Sequence, residues 1–359
     1  MRLVAILDIL IFLAITFVGN HFLLGLPSFL IVWLALISYR LITHLPIQKL
    51  EVLTQAYFFI LLMPFMVKGV INSDEYYFAF LQLVLYVNIF PVLSRLLKNK
   101  KSCSALAVIT CILAFLSLVF IGGSRESLIF GPNVMYRILG VLFFLMYCSL
   151  SIQKSPKYYL LLLSYVATLI GLVLTGSRGA TVVFLLQTLF LLIYFRNFNF
   201  AKYVVLIGFV ALFFVIFSYW DVVSGILGRV IYFDMNNGSE SVRANMYLIV
   251  LDVFEAESST TLLFGLGNES NYFQGIYPHN LFIEILLYHG IVFFLATLIL
   301  GGLLFLKSRG NNFIGFCFLV FLPIIFGTML SGNLTDNYPV LSLLLISFFI
   351  KDKKFKHTA

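Results

Sequence analysis

The chain has 359 residues, of which 62% are hydrophobic and 11% charged, and its mean hydropathy is +1.05. That leaves too little polar surface to coat a soluble globule of this size, which excludes an ordinary water-soluble domain and points to a bilayer. The net charge of +8 would suggest nucleic acid only if the basic residues formed one patch, and their distribution along the chain argues against that.

Runs of about 18 to 22 apolar residues predict spans at residues 3–19, 22–42, 52–70, 76–97, 104–122, 132–152, 157–175, 179–195, 201–219, 280–306, 311–330 and 338–350. The expected fold is all-α: a polytopic integral membrane protein forming one transmembrane domain over 1–359, with a long outer loop at 220–278. The first span begins like a signal sequence, but Asp8 interrupts it and no small-x-small cleavage site follows Phe17, Val18 and Gly19, so it is expected to stay as an anchor. With the N-terminus inside and sides alternating, the basic residues gather in inner loops and tails, as the positive-inside rule requires. The exceptions are Lys68, Arg125, Arg137, Arg178, Arg229 and Arg243, all at or near the outer face, and these need another explanation. Cys103, Cys111, Cys148 and Cys317 fall within or beside spans, and the outer loop has no cysteine, which argues against a disulfide framework or a cysteine-rich metal site.

Thr175-Gly176-Ser177-Arg178-Gly179 lies where one span ends outside and the next begins. Glycines let a ligand approach the backbone, a helix start offers free amide hydrogens, and a guanidinium presents a planar fork matched to phosphate. The alternative is a tight turn with a snorkelling arginine. Within the outer loop, Ser241 to Phe254 has apolar residues at helical spacing, which predicts an amphipathic helix on the membrane surface. Arg243 on it shares a face with Tyr247 four residues later, and alone it would read as a surface charge. Glu255 and Glu257 read as a solvated helix face. Gly265, Gly267 and Gly275 supply turns back to the bilayer. Pro278-His279-Asn280 then opens a span, where a helix N-terminus keeps an imidazole neutral and able to accept a proton. Asn280 can hold a sugar hydroxyl or orient that ring, and Glu284 is an acid in an apolar helix, a type of group rarely kept there without a task. The basic tail, Lys351 to Lys356, reads as an anchor on anionic lipid.

The order of these elements resembles the O-antigen polymerase and O-antigen ligase superfamily. The matches are Arg178 within Gly-Ser-Arg-Gly, Arg243 with Tyr247, Gly265 and Gly267, His279 with Asn280, and Gly290 eleven residues after the histidine. The stretch Gly131-Pro132-Asn133 with Arg137 is also similar to a recurrent family segment. Ligase-type members often carry a glutamate nine residues after the histidine; here that position is Tyr288, and the acid at Glu284 looks more like the repeat-unit polymerases.

The resemblance implies a membrane glycosyltransferase of the C type, working in polysaccharide or lipopolysaccharide synthesis at the periplasmic face of the bacterial inner membrane, with both termini cytoplasmic. It implies that an acceptor hydroxyl attacks the anomeric carbon of a glycan carried on undecaprenyl diphosphate and expels the lipid diphosphate. His279 would be the general base, with Glu284 orienting it, and Arg178 and Arg243 would neutralise the diphosphate. Arg137 and Arg125 would support them, with Asn280, Tyr247 and Asn133 on the substrate side. No Asp-x-Asp pair on the outer side suggests a divalent metal, so neither metal nor cofactor is expected. Partners implied are the lipid-linked oligosaccharide, membrane lipids, a chain-length regulator and a flippase, and not nucleic acid. A repeat-unit polymerase is the leading reading. A ligase passing finished glycan to lipid A core differs only in the acceptor. A flippase or transporter is a third reading, weakened because ionisable residues gather at the outer mouth and not at mid-membrane, Asp8 excepted.

Overall fold

A computed structural model describes residues 2–18, 22–23, 26–44, 85–99, 101–119, 132–153, 157–174, 178–194, 258–266, 280–308 and 313–327, together with 202–203, 205–210, 213, 250, 252, 255 and 343. These residues are overwhelmingly helical. In chain order the helices are α1 (Arg2–Leu13), running into a π-helical turn at Ala14–Val18, α2 (Ser28–Thr43), α3 (Ile89–Lys98), α4 (Ser102–Val119), α5 (Pro132–Gln153), α6 (Tyr158–Leu174), α7 (Arg178–Tyr194), α8 (Ser259–Phe264), α9 (Leu281–Lys307) and α10 (Phe313–Gly327).

The helices follow the apolar runs, with three departures. The span expected from residue 22 starts at Ser28, because Phe22–Leu23 and Leu26–Pro27 pair as a two-residue antiparallel ladder. Pro27 accounts for this: its ring disfavours helical backbone at Leu26, so the helix begins only after it. A short helix, α8, lies just before Gly265, in a part of the 220–278 stretch where no helix was expected. The span expected at 280–306 is broken within α9 at Gly290. The expected span 52–70, most of 338–350 and much of 201–219 lie outside the described residues. By length and composition, Val134–Gln153 and His289–Lys307 can each cross a bilayer, Leu85–Lys98 with Ser102–Leu116 adds a third as a bent pair, and Val4–Phe17, Leu30–Thr43, Tyr158–Leu172 and Phe313–Gly327 are shorter apolar helices.

α5 is the hub. Pro132 at its first position needs no donor there and brings a backbone angle already suited to a helix. From Leu139 to Ser149 every side chain is buried, so the helix is apolar all round because it is covered all round, by α3, α4, α6, α7 and α10. Phe143 packs against Phe144, Tyr165 and Phe184 with ring centres 5.2, 5.4 and 5.5 Å apart. α10 runs antiparallel to α5: Cys148 Sγ meets the Phe316 carbonyl at 3.8 Å, Gly140 faces Pro323, and Arg137 reaches Gly327. A β-carbon on Gly140 would stand 2.9 Å from the Pro323 ring, so the close approach needs glycine.

Polar groups are placed inward and apolar ones outward. Asp8, Arg137, Ser164, Thr168 and Gln187 are buried, while Leu34, Leu41, Ile42 and Ile299 are 67, 71, 68 and 63% exposed. A water-soluble protein shows the opposite bias; lipid-facing helices show this one. Gln187 and Asp8 are tied into neighbouring helices. Gln187 Nε2 donates to the Tyr136 hydroxyl at 2.7 Å and to the Leu322 carbonyl at 3.1 Å, joining α7, α5 and α10. Asp8 accepts from the Tyr39 hydroxyl at 2.7 Å and pairs with Arg95 Nε at 3.4 Å, joining α1, α2 and α3. Arg95 also donates to the Thr43 carbonyl at 3.3 Å and lies over the Tyr39 ring at 5.8 Å. Beside it Arg40 Nη2 donates to Asn88 Oδ1. Thus the aspartate that interrupts the first span has a partner from each of two other helices.

Candidate functional site

Of the residues singled out from sequence, the structure describes the side chains of Asn280, Glu284 and Arg137. Arg178 and Asn133 are described as helix backbone only. His279, Arg243, Tyr247, Arg125, Gly131 and Gly267 lie outside the described residues.

Arg178 is the first residue of α7, so the backbone amides after it belong to the helix's first turn, where they lack carbonyl partners from the helix itself. At the other end of the motif series, Asn280 is the N-cap of α9. Its Oδ1 accepts from the Phe282 and Ile283 amides at 3.0 and 3.4 Å, and its carbonyl accepts from the Glu284 amide at 3.0 Å. The carboxamide oxygen is therefore occupied by the helix, and contact with a sugar hydroxyl would fall to Nδ2. The expectation for Asn280 was a hold on a sugar hydroxyl or on the ring beside it; the structure adds the cap, which was equally readable from Asn before an apolar run. Glu284 is buried in the first turns of α9, where a carboxylate faces the favourable end of the helix dipole.

α9 is not one straight helix. Gly290 has φ of 79° and ψ of 175°, and the ring centres of Phe282 and Phe294 lie 6.3 Å apart. Residues twelve apart on a straight helix would be about 18 Å apart along its axis, so the segment from Leu281 to His289 folds back on the part that follows. The segment Ser258–Leu266 fills the notch. α8 is capped by Ser258, whose Oγ accepts from the Thr261 amide at 3.3 Å, and it ends at Gly265 with φ of 86°. The next amide, Leu266, donates to the Leu287 carbonyl at 2.8 Å. A small apolar cluster seals the contact: Val250 and Leu287 are buried, with Leu266 and Ile283 packed on them. Gly265 and Gly290, separate parts of the sequence motif, are thus brought into contact. Val250 is helical and buried, while Asp252 and Glu255 are helical and exposed, as an amphipathic helix over this stretch requires.

Arg137 differs from expectation in its surroundings. It is 4% exposed, and Nη2 donates to the Gly327 carbonyl at 3.1 Å, at the C-terminal end of α10. A guanidinium there satisfies a carbonyl the helix leaves over and complements the dipole. Arg137→Ala is expected to cost about 1 to 3 kcal/mol by stranding that carbonyl, seen as a lower unfolding temperature in detergent. Unchanged stability with lost turnover would instead assign Arg137 to substrate.

Residues 163–298 match the family model described as O-antigen ligase. The matched segment holds Arg178, Arg243, Tyr247, Gly265, His279, Asn280, Glu284 and Gly290, and excludes Arg125, Asn133 and Arg137. Searches of curated proteins and of solved structures gave no match. Over residues 163–298 the chain is thus similar to the O-antigen polymerase and ligase superfamily.

Proposed function

We propose that the protein polymerises oligosaccharide repeat units carried on undecaprenyl diphosphate at the periplasmic face of the bacterial inner membrane. The observation that carries the reading is a single family match running from before Arg178 to beyond Gly290, with the motifs from Arg178 to Gly290 in order. In the proposed reaction an acceptor sugar hydroxyl attacks the anomeric carbon of the donor glycan. The new glycosidic C–O bond forms as the bond to the diphosphate oxygen breaks, and the hydroxyl proton passes to His279. Arg178, at the start of α7, and Arg243 take up the negative charge on the leaving diphosphate, so the step needs no metal ion. Glu284, buried four residues after the capping Asn280, supports the imidazole through the local field. Helical spacing puts Arg243 and Tyr247 on the face of Val250, the residue that packs on Leu287. That spacing supports a loop helix delivering its arginine toward the start of α9.

A ligase passing finished glycan to lipid A core is the second reading, favoured by the description of the matching family model. Tyr288, where ligase-type members often carry glutamate, and the acid at Glu284 favour the polymerase. The test is a gel of surface glycans from a deletion strain with and without the gene restored. Core carrying a single repeat, with the ladder recovered on complementation, supports the polymerase. Bare core with polymer left on the lipid carrier identifies a ligase, and an unchanged ladder removes both and brings transport forward.

A further inference from the structure

The loop segment Leu263–Leu266 is seated in the notch of α9. A β-carbon on Gly290 would lie 2.4 Å from the Leu263 carbonyl oxygen and 2.5 Å from the Gly265 amide nitrogen, so backbone meets backbone there with no room for a side chain. The break at Gly290 removes the helix's own donors from the last carbonyls of the Leu281–His289 segment, and the Leu266 amide supplies one to Leu287. Neither contact is needed for His289–Lys307 to cross a bilayer, which its length and composition already allow, nor for the cap at Asn280. What they fix is the direction in which the first segment of α9 leaves the span. Asn280 stands at the far end of that segment. A rotation of a nine-residue arm about Gly290 would move its tip by several ångströms, and a misplacement of about 1 Å can cost about 100-fold in rate.

We propose that the Leu263–Leu266 segment and Gly290 form a joint that positions the Asn280 end of α9 for glycan transfer, with Gly290 and the Leu266 backbone amide as positioning groups. The inference rests on the proposed glycosyl transfer. It predicts that what matters at position 266 is the N–H, so Leu266→Pro should impair transfer while Leu266→Ala should not. The measurement uses full-length protein in proteoliposomes and lipid-linked oligosaccharide isolated from the deletion strain, with turnover expressed per folded molecule. Leu266→Pro and Gly290→Ala are expected to lower kcat about 10- to 100-fold with KM for the donor within about twofold, and Leu266→Ala to stay near wild type. Unchanged kcat in both impaired variants, or a raised KM at unchanged kcat, would overturn the joint. If neither variant folds, Leu266→Cys with Ile283→Cys decides, because both side chains pack on the same buried pair, Val250 and Leu287. An oxidative cross-link that leaves turnover intact supports a joint closed during catalysis, and one that abolishes it overturns the idea. Wild-type protein that fails to turn over the donor speaks against the proposed function, whereas active wild type with equally active variants speaks against the joint alone.

Discussion

Arg178→Ala is expected to abolish glycan extension in cells while the protein still reaches the membrane at wild-type levels. The reason is positional and electrostatic together. Arg178 begins α7, so in the proposed reaction its charge adds to the amides and positive dipole end of that helix, three sources for the one leaving diphosphate. Removing one preorganised donor at a developing negative charge commonly costs about 100- to 1000-fold in rate, enough to erase a ladder on a gel. Arg178→Lys keeps the charge but replaces a planar fork with a point donor. It is expected to retain activity at about a tenth of wild type, the equivalent of losing one charge-assisted hydrogen bond worth about 1.4 kcal/mol. Equal activity in the alanine variant would remove Arg178 from the diphosphate site.

The largest expected effect on stability lies at the opposite end of the argument, in the Asp8 network. Asp8 is fully buried and shares its Oδ1 between the Tyr39 hydroxyl and the Arg95 guanidinium. Arg95→Ala leaves a buried carboxylate with the Tyr39 hydroxyl and without the opposite charge of Arg95. Breaking a buried pair in this way costs about 3 to 5 kcal/mol, and the low end applies because Arg95 is 29% exposed and partly screened. Asp8→Asn removes the charge that needs compensation and keeps an acceptor for Tyr39, so it should cost less than Arg95→Ala. The double variant should recover part of the Arg95→Ala loss, since the two residues are in contact and their effects are not additive. Thermal unfolding in detergent reads all three. A milder effect for Arg95→Ala than for Asp8→Asn would mean that the pair is not what holds α1 to α3.

The sequence was most legible where one physical rule acted alone. α5 was expected at 132–152 and runs Pro132–Gln153, because a proline start and an unbroken apolar run leave little freedom in its bounds. The positions of α6 and α7 followed for the same reason, with the glycines around Arg178 marking the junction. The break in α9 was not legible. Apolar residues continue on both sides of Gly290, and an isolated glycine in a helical pattern is ordinarily tolerated at a cost of about 1 kcal/mol. What drives the left-handed turn is the backbone of Leu263–Gly265, a contact between segments distant in sequence. The partners of Asp8 were hidden likewise, since Tyr39 and Arg95 belong to other helices. Arg137 was readable as a cation near the outer end of its helix, but its use on the Gly327 carbonyl depends on the antiparallel register of α5 and α10. At the candidate site, the motif order came from sequence, and the structure added the contact between Gly265 and Gly290.

The most direct test of the account compares purified wild-type and His279→Ala proteins in proteoliposomes, given lipid-linked oligosaccharide isolated from the deletion strain. The measurement is release of the lipid diphosphate together with lengthening of the glycan. The account predicts both for wild type and neither above background for His279→Ala, with the two proteins unfolding at the same temperature. Wild-type turnover by a correctly folded His279→Ala protein would contradict the general-base role.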